Sequence, residues 1–334
     1  MTPQRRAALA LLAAAALAPR VPRAQPAAPD ALTFGLITPR EPDKVLAAWN
    51  PFLQALSRHL GRAIKPWIAN RPQEVIDGLR AGRLDLAWVG NTTALEIVEN
   101  GSGEVFAQML TGDGRTGYRS ILVTHKDSGI ESLDHAQQPE RRLIFGDGDP
   151  KSTSGHLVPL YYAFVKRGIN DPRTLYREVR HGSHRANLRM AALREVDIAT
   201  ANDVELHFFT AEQPALGRAL RVIWHSPDIP HSPLVWRLAL PAPLRQRIQQ
   251  AVVEFGQRDA AERAILRGVN DLSGFRKSRN RQLITVADIE MFAAWQRVNN
   301  DAALAPADKL ARIADISQRA SRLELRLKQE PSLR

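Results

Sequence analysis

The strongest constraint on the fold is an alternation of short apolar runs with amphipathic stretches, which begins at residue 32. Short apolar runs predict buried strands, and apolar side chains spaced three and four residues apart predict helices. The runs are Leu32–Ile37, Ala63–Ala69, Leu84–Val89, Val105–Leu110, Leu143–Phe145, Tyr176–Val179, Val196–Thr200 and Leu220–Trp224. This alternation is typical of an α/β fold with largely parallel sheets that carry helices on both faces.

The apolar runs fall into two sets, which predicts two α/β lobes. Ser120–His125 and Arg221–Trp224 are extended stretches between the sets, and we interpret them as the two crossings between lobes. The first lobe is then discontinuous and comprises residues 31–119 and 226–334, while residues 120–225 form the inserted second lobe.

The C-terminal region is predicted to be helical from Pro241 onward and ends in the amphipathic stretch Pro306–Lys328. Apolar residues recur along this stretch at helical spacing: Leu310, Ile313, Ile316, Ala320, Leu323 and Leu327. Two interpretations stay open, because such a stripe packs either on its own lobe or against a second copy. A homodimer through the C-terminal helix is the second of these.

Residues 1–24 have the pattern of an export signal peptide. Arg5 and Arg6 precede an unbroken apolar run over Ala7–Ala18, and small residues follow from Ala24. The run is too short for the roughly 20 residues that span a bilayer. We therefore predict a signal peptide, read by the Sec or the twin-arginine route, and a periplasmic protein. A retained anchor helix is the alternative.

Composition excludes several classes of function. The chain has no Cys, so disulfides, thiolate catalysis and thiolate metal ligands are all excluded. The net charge of +11 favours anionic partners, but the basic residues form no clustered stripe with interleaved aromatics, so we expect no nucleic-acid partner. His181 and His184 have no third ligand at metal-binding spacing, so we expect neither a metal nor a cofactor.

The stretch Gly146–Gly155, with the sequence GDGDPKSTSG, follows a predicted strand and precedes a helix predicted near 155–167. Ser152, Thr153 and Ser154 then fall at the N-cap and in the first turn of that helix. Unpaired N–H groups, the positive end of the helix dipole and hydroxyl donors meet there. The sequence therefore predicts an anion site, with simple helix capping as the alternative.

His184 lies between a predicted strand and the next helix, at the carboxyl end of the strand, where open α/β sheets bind ligands. An imidazole there is able to donate hydrogen bonds to an anion. An exported serine hydrolase that uses Ser152 or Ser154 with His184 and Asp197 remains an alternative, because spacing does not exclude a triad. No Gly-x-Ser-x-Gly motif frames either serine.

Several phrases in one order resemble the phosphonate-binding periplasmic proteins of ABC importers, the PhnD type, over about Leu32–Arg267. Beside the stretch Gly146–Gly155 they are DLAWVGN from Asp85, VFAQ from Val105, GYRS from Gly117, VDIAT from Val196 and VIWHSP from Val222. The resemblance implies a two-lobed type II solute-binding fold with hinge strands and an interlobe cleft. It also implies delivery of the ligand to a permease and ATPase complex, with no enzymatic step.

The resemblance further implies which residues hold the phosphonate group. By position these are Tyr118, Ser152, Thr153 and His184, with the Ser154 backbone close by. Tyr118 would supply a phenol hydroxyl, the two hydroxyl residues would bind the phosphonyl oxygens, and His184 would donate from the other side.

The chain departs from aminoethylphosphonate binders at the other end of the cleft. Two acidic residues that hold the ligand's amine in those proteins align with Val204 and Ser232. Asp203 and Glu205 flank Val204, so a shift of one residue would restore a carboxylate. Arg71 stands in the loop where the family has a Tyr and is a candidate for a second positive contact.

A buried ammonium needs a compensating charge, which Val204 does not provide. We therefore expect a phosphonate without an amine, phosphite or a phosphate ester. Asp197 is a candidate acceptor for an oxyanion that still carries a proton. The remaining alternatives are a carrier for another oxyanion, such as an alkylsulfonate, and a sensory partner of a membrane receptor.

Overall fold

The computed structural model describes residues 30–37 and 41–329. The predicted signal peptide, residues 1–24, lies outside the described residues. No helix in the described part combines the length and the apolar character needed to cross a bilayer.

Thirteen strands lie within the described residues. They are β1 (Ala31–Ile37), β2 (Ala63–Ala69), β3 (Leu86–Trp88), β4 (Gly103–Thr111), β5 (Gly117–Tyr118), β6 (Ser120–His125), β7 (Ile144–Asp147), β8 (Glu178–His181), β9 (Ile198–Asn202), β10 (Leu220–His225), β11 (Ile229–Pro230), β12 (Pro233–Arg237) and β13 (Leu272–Lys277).

The α-helices connect these strands and follow the last of them. They are α1 (Pro42–Leu60), α2 (Pro72–Arg80), α3 (Asn91–Glu99), α4 (Leu133–Ala136), α5 (His184–Ala192), α6 (Asp203–Glu212), α7 (Pro214–Arg218), α8 (Ala242–Glu254), α9 (Ala260–Gly268), α10 (Ile284–Asn300) and α11 (Pro306–Lys328). Two π-helical segments, Thr153–Leu157 and Leu160–Phe164, and a 3₁₀ turn, Val165–Arg167, occupy most of the region predicted as one helix near 155–167.

The strands form two large sheets of mixed direction, in which most strands run one way, as predicted. The first has the order β13-β4-β12-β3-β1-β2 and the second the order β10-β6-β9-β7-β8. Only β1 with β2 and β3, and β7 with β8 and β9, pair directly in parallel. In the first sheet β12 and β13 run opposite to the other four strands, and in the second sheet β6 runs opposite to the other four. Because a strand's apolar pattern does not encode its direction, the sequence did not show which strands are reversed.

Each large sheet and the helices packed on it form one lobe. The first lobe has two cores on opposite faces of its sheet, one around Trp49 and Phe106 and the other around Leu95 and Val235. The second lobe has smaller cores around Phe145 and Val123. The structure is therefore a two-lobed α/β fold.

A small ribbon joins the lobes. β5 and β11 pair antiparallel, with Tyr118 opposite Ile229. Next to them the Ser120 N–H donates to Ser226 Oγ over 3.0 Å, and the Ser226 N–H donates to the Ser120 carbonyl over 2.9 Å. Ser120–His125, which we interpreted as a crossing, is instead strand β6 of the second sheet, and Arg221–Trp224 lies in β10. The chain passes between lobes at the ribbon.

Two strands of the large sheets were missed by the sequence analysis, as were the two short strands of the ribbon. β12 begins with a proline, and β13 lies in the C-terminal region that we predicted to be helical from Pro241. β13 is an edge strand with only two buried apolar side chains, Leu272 and Phe275, so its sequence shows little alternation.

The C-terminal helices pack on the first lobe. Leu323 and Leu327 of the apolar stripe are buried in the core with Leu95, whereas Leu310 is 69% exposed. The stripe is thus used within the chain at its C-terminal end, and a homodimer through it stays a prediction. Helix α10 also reaches the second lobe, where Val286 and Ile289 pack on Leu157.

Candidate functional site

A cavity of about 340 Å³ lies between the two lobes. Among the residues that line it are Asn70, Arg71, Trp88, Gly90 and Thr93 of the first lobe, Tyr118, His231 and Ser232 near the ribbon, and Gly148–Ser154, Gly182–His184, Asn202, Val204 and Glu205 of the second lobe. Of the eleven residues that the sequence predicted for the site, the cavity brings nine together and leaves Asp203 and Asp197 outside.

The wall formed by the second lobe begins at the Gly-rich turn after β7. Ser152 caps the first π-helical segment, since its Oγ accepts from the Gly155 N–H over 3.0 Å. The Leu157 N–H donates to the Ser152 carbonyl, which is the wide turn of a π-helix, a form found often at functional sites. The first N–H groups of the segment, on Thr153 and Ser154, have no earlier carbonyl within the helix to bond. The sequence predicted the anion site at this terminus, which we call the cradle.

Two glycines let this turn fold tightly. The Gly148 N–H donates to the Gly155 carbonyl over 3.0 Å, and a Cβ on Gly148 would lie 2.6 Å from that carbonyl. A Cβ on Gly155 would lie 2.7 Å from Ser152 Oγ and 3.0 Å from His184 Cε1. Gly155 therefore allows the cap and the imidazole to approach each other.

Ser154 connects the cradle to two of the predicted ligand-binding side chains. Its Oγ lies 3.2 Å from His184 Nε2 and forms a hydrogen bond with the Tyr118 hydroxyl. Burial lowers the pKa of His184 to about 4 and, against the opposing effect of Ser154, raises the pKa of Tyr118 to about 12. Both groups are therefore neutral near pH 7. Either partner is able to donate in the contact between Ser154 and Nε2, and the buried Nδ1 of His184 has no hydrogen-bond partner in the described part of the chain.

His184 is held in place by its own helix. Ser183 caps α5 by accepting from the Ala186 N–H, and one turn later the fully buried Asn187 donates to the carbonyls of Asp147 and Thr200 on β7 and β9. The first residue of α5 is thereby fixed against the carboxyl ends of the two strands. This is the position that the sequence predicted for His184.

Thr153 makes a contact that the sequence did not predict. Its Oγ1 accepts from the Thr92 N–H over 2.8 Å and lies 2.9 Å from Thr92 Oγ1. Thr92 is in the first turn of α3, so the hydroxyl joins the cradle to the first lobe. Lys151, on the same wall, forms an ion pair with Glu96 of α3. The lobes thus touch each other along one rim of the cavity.

The predicted amine end of the cleft contains one buried carboxylate. Val204 and Ser232 both line the cavity, as does Glu205, which is 5% exposed. Asp203 does not, because its Oδ1 accepts from the N–H groups of Arg119 and Val204. Of the two acids that flank Val204, only Glu205 thus remains a candidate for a ligand's ammonium. Arg71 lies at the mouth, exposed, with its Nε 3.4 Å from Glu74 Oε1.

The roles suggested for Asp197 are wrong. Asp197 Oδ2 accepts from the Ile144 N–H over 2.6 Å, so this carboxylate joins β7 to the start of β9 and does not line the cavity. It neither orients His184 nor reaches a ligand in the cleft. The Ser154–His184 contact thus lacks the third group that orients the base in a catalytic triad.

Two cavity residues escaped the sequence analysis as site residues, His231 and Trp88. They are 6% and 5% exposed, and both carry a buried ring nitrogen without a hydrogen-bond partner in the described ranges. Trp88 lies in the phrase DLAWVGN but reads as an ordinary core residue of a strand. His231 is an isolated loop histidine, and only the tertiary fold brings it to the cavity.

Comparison with known proteins places the chain among transport proteins. The sequence profile of a family described as "ABC transporter, phosphonate, periplasmic substrate-binding protein" matches residues 34–283. The phosphonates-binding periplasmic protein of Escherichia coli K12 is 34% identical over 294 residues, which cover 88% of this chain and 86% of that protein.

Solved structures agree with this. The binding protein component of an ABC phosphonate transporter from Pseudomonas aeruginosa superposes with a TM-score of 0.83 at 34% identity, covering 89% of this chain and 97% of that one. A protein from Prochlorococcus marinus, solved in complex with methylphosphonate, has the same fold with a TM-score of 0.69 at 20% identity, covering 78% of this chain and 97% of its own.

Proposed function

This chain belongs to the family of periplasmic phosphonate-binding proteins of ABC transporters, and from that premise we propose that its interlobe cavity binds a phosphonate without an amine, phosphite or a phosphate ester. The observation that carries the proposal is the cradle. Two helix N–H groups, on Thr153 and Ser154, meet the neutral side chains of Tyr118 and His184 at one wall of the interlobe cavity.

The hydrogen bonds of such a site are strong enough to bind an oxyanion without a cationic side chain. Hydrogen bonds to a charged group contribute roughly 1.5–3 kcal/mol each. Five or six of them, from Ser152, Thr153, Ser154, His184 and Tyr118, sum to about 8–18 kcal/mol before ordering costs, and a micromolar ligand needs about 8 kcal/mol. Neutral donors also hold the anion less permanently than a buried ion pair, which suits a carrier that must release its ligand.

The residues at the far end of the cavity favour a ligand without an amine. Val204 is apolar, Ser232 is uncharged, and the Asp203 carboxylate is occupied by two backbone N–H groups. Of the two acids that flank Val204, Glu205 is the one that lines the cavity, so it is the one in a position to hold an ammonium at this end. The binding measurements must therefore include a variant of Glu205.

Transport then follows by closure of the lobes around the ligand. We place the lobe boundaries after residues 119 and 225, so that the β5–β11 ribbon and the Ser120–Ser226 bonds act as the hinge. A ligand that contacts both lobes stabilises the closed form, which docks on the permease and ATPase complex. The export signal over residues 1–24 would deliver the protein to the periplasm.

No reaction is assigned to the site. His184 has a pKa of about 4, lowered by burial, so it is a weak base, and its Nδ1 meets no carboxylate. The Ser154–His184 contact is better used to orient the imidazole toward an anion than to activate the serine.

Calorimetric titration tests the ligand class directly. The mature protein is titrated with methylphosphonate, phosphite, aminoethylphosphonate, an alkylsulfonate and sulfate. We expect micromolar or tighter binding of methylphosphonate or phosphite and weaker binding of the sulfur oxyanions. Tight binding of the alkylsulfonate alone would overturn the proposal.

The variant Glu205→Gln tests the amine. It removes the charge and keeps the shape, so we expect the affinity for methylphosphonate to change by less than about threefold. If wild type prefers aminoethylphosphonate and the variant loses that preference, the ligand carries an amine that Glu205 holds. The matched control is Asp203→Asn, which alters the neighbouring acid outside the cavity.

A further inference from the structure

The cavity has a second set of unsatisfied donors, among the lining residues outside the second lobe. Trp88 Nε1, at the end of β3, and His231 Nε2, between β11 and β12, are both buried and lack a hydrogen-bond partner among the described residues. A buried polar group without a partner is costly, and native structures rarely contain one without a reason. Here two such unpartnered polar groups lie beside one cavity.

The imidazole of His231 is fixed as a donor. The N–H of Ser232 donates to His231 Nδ1 over 2.7 Å, so Nδ1 is unprotonated and the neutral ring carries its proton on Nε2. Burial first and Arg115 second lower the pKa of His231 to about 4, so the ring remains neutral near pH 7. Nε2 therefore presents an N–H group and does not accept a hydrogen bond.

The backbone around His231 is held rigidly. Its N–H donates to the Thr116 carbonyl over 2.8 Å, while its carbonyl accepts from Gln108 Nε2 and Gln282 Nε2, each over 3.3 Å. Its ring centroid lies 5.3 Å from that of Tyr118, whose hydroxyl is bonded to Ser154 of the cradle. The Nε2–H donor of His231 is thus fixed before a ligand binds. The Tyr118 ring lies between it and the groups that we propose to hold the oxyanion.

We propose that His231 and Trp88 form the first lobe's half of the oxyanion site, so that a tetrahedral oxyanion is bound between two neutral histidines, His184 from the second lobe and His231 from the first. This inference rests on the proposed function and deepens it.

Two properties of the ligand follow. A fixed N–H donor gains from an oxygen acceptor and is left unsatisfied by a methyl group or an ammonium, so the ligand must place oxygen atoms toward both lobes. A compact tetrahedral anion such as phosphite or methylphosphonate does so with its three oxygens. The oxyanion itself, and not a substituent, then links the lobes.

A pair of variants at residue 231 separates the donor from the rest of the ring. His231→Asn keeps an acceptor near Nδ1 for the Ser232 N–H but has no group at the Nε2 position. His231→Gln places an amide N–H near Nε2. We expect His231→Asn to weaken methylphosphonate binding by about ten- to one-hundredfold, and His231→Gln to retain most of the affinity. Equal binding by His231→Asn and wild type overturns the inference.

Trp88→Phe tests the second donor. It removes the indole N–H and keeps an aromatic ring against Trp49, whose centroid is 5.0 Å from that of Trp88. We expect about a tenfold loss of methylphosphonate affinity with a thermal midpoint close to wild type. Unchanged affinity would remove Trp88 from the site.

Nitrogen-15 spectra of wild-type protein provide a measurement that does not depend on how the variants fold. The His231 Nε2–H signal should sharpen and move downfield when methylphosphonate is added, and an unshifted signal in the bound protein overturns the inference. If wild type binds no phosphonate, phosphite or phosphate ester, the proposed function itself has failed. Binding that is insensitive to residue 231 refutes this inference alone.

Discussion

At the scale of single residues, the site depends on a close approach that only glycine allows. Gly155→Ala places a Cβ against Ser152 Oγ and His184 Cε1, at 2.7 and 3.0 Å, so one of the two must move. We expect about a tenfold weaker Kd for methylphosphonate, measured by calorimetry, because at least one hydrogen bond to the anion is lost. Gly268→Ala is the control, since a Cβ there meets nothing within 4 Å. Equal binding by Gly155→Ala and wild type would show that the cap and the imidazole do not hold the ligand.

The two buried histidines also predict how stability depends on pH. Both have a pKa lowered to about 4, mainly by burial, whereas an unfolded histidine titrates near 6.5. As pH falls from 6.5 toward 4 the unfolded chain binds protons that the folded chain does not, so the free energy of unfolding decreases in that window and is level above it. Each histidine should contribute about 2 kcal/mol of loss between pH 7 and 5. Urea unfolding of wild type and His231→Asn checks this: an equal loss in both contradicts the assignment to His231.

At the scale of elements, the cradle contacts the first lobe through Thr153, and we predict that this contact strengthens ligand binding. Thr153→Val removes the acceptor for the Thr92 N–H and leaves the first turn of α3 unsatisfied. We expect methylphosphonate binding to weaken about tenfold, whereas Thr153→Ser, which keeps the hydroxyl, should bind nearly as wild type. Calorimetry on the two variants decides the point. If valine and serine behave alike, the hydroxyl contributes neither to the ligand nor to the contact between lobes.

Individual elements also show which parts of the fold could be predicted from the sequence and which could not. Strong local patterns predicted β1, β2 and β4, and the hydroxyl triplet predicted a helix start at Ser152, because both are properties of consecutive residues. Strand direction is not such a property, so the sequence did not show which strands run opposite to the others. β13 has only two buried apolar side chains, so its sequence shows little alternation. The role of His231 in the site depends on its contacts with the Ser232 N–H and with the Tyr118 ring. Tyr118 is 113 positions away from His231 in the sequence.

At the scale of the whole molecule, ion pairs join the lobes at more than one place. Lys151 pairs with Glu96, Arg185 of α5 lies near Glu41, and Glu212 of α6 pairs with Lys44 over 3.0 Å. All three link a residue before β4 to one after β6. These pairs can form only when the lobes are together, so they favour the closed form. Because the Lys151–Glu96 and Lys44–Glu212 pairs are partly exposed, each is worth about 1 kcal/mol or less and is screened by salt.

The last prediction follows from those pairs. Glu96→Gln removes one pair without changing a residue that lines the cavity, so it should shift the lobes toward the open form and weaken methylphosphonate binding by up to about fivefold. The effect should shrink when salt is raised from about 50 to about 500 mM, since screening already weakens the pair in wild type. Glu324→Gln, which breaks an exposed pair with Lys328 within α11, is the control and should change nothing. Small-angle scattering of the unliganded variant should give a larger radius of gyration than wild type. A loss of affinity with no change in either salt dependence or radius would mean that Glu96 acts on the cradle through Lys151 and not on the position of the lobes.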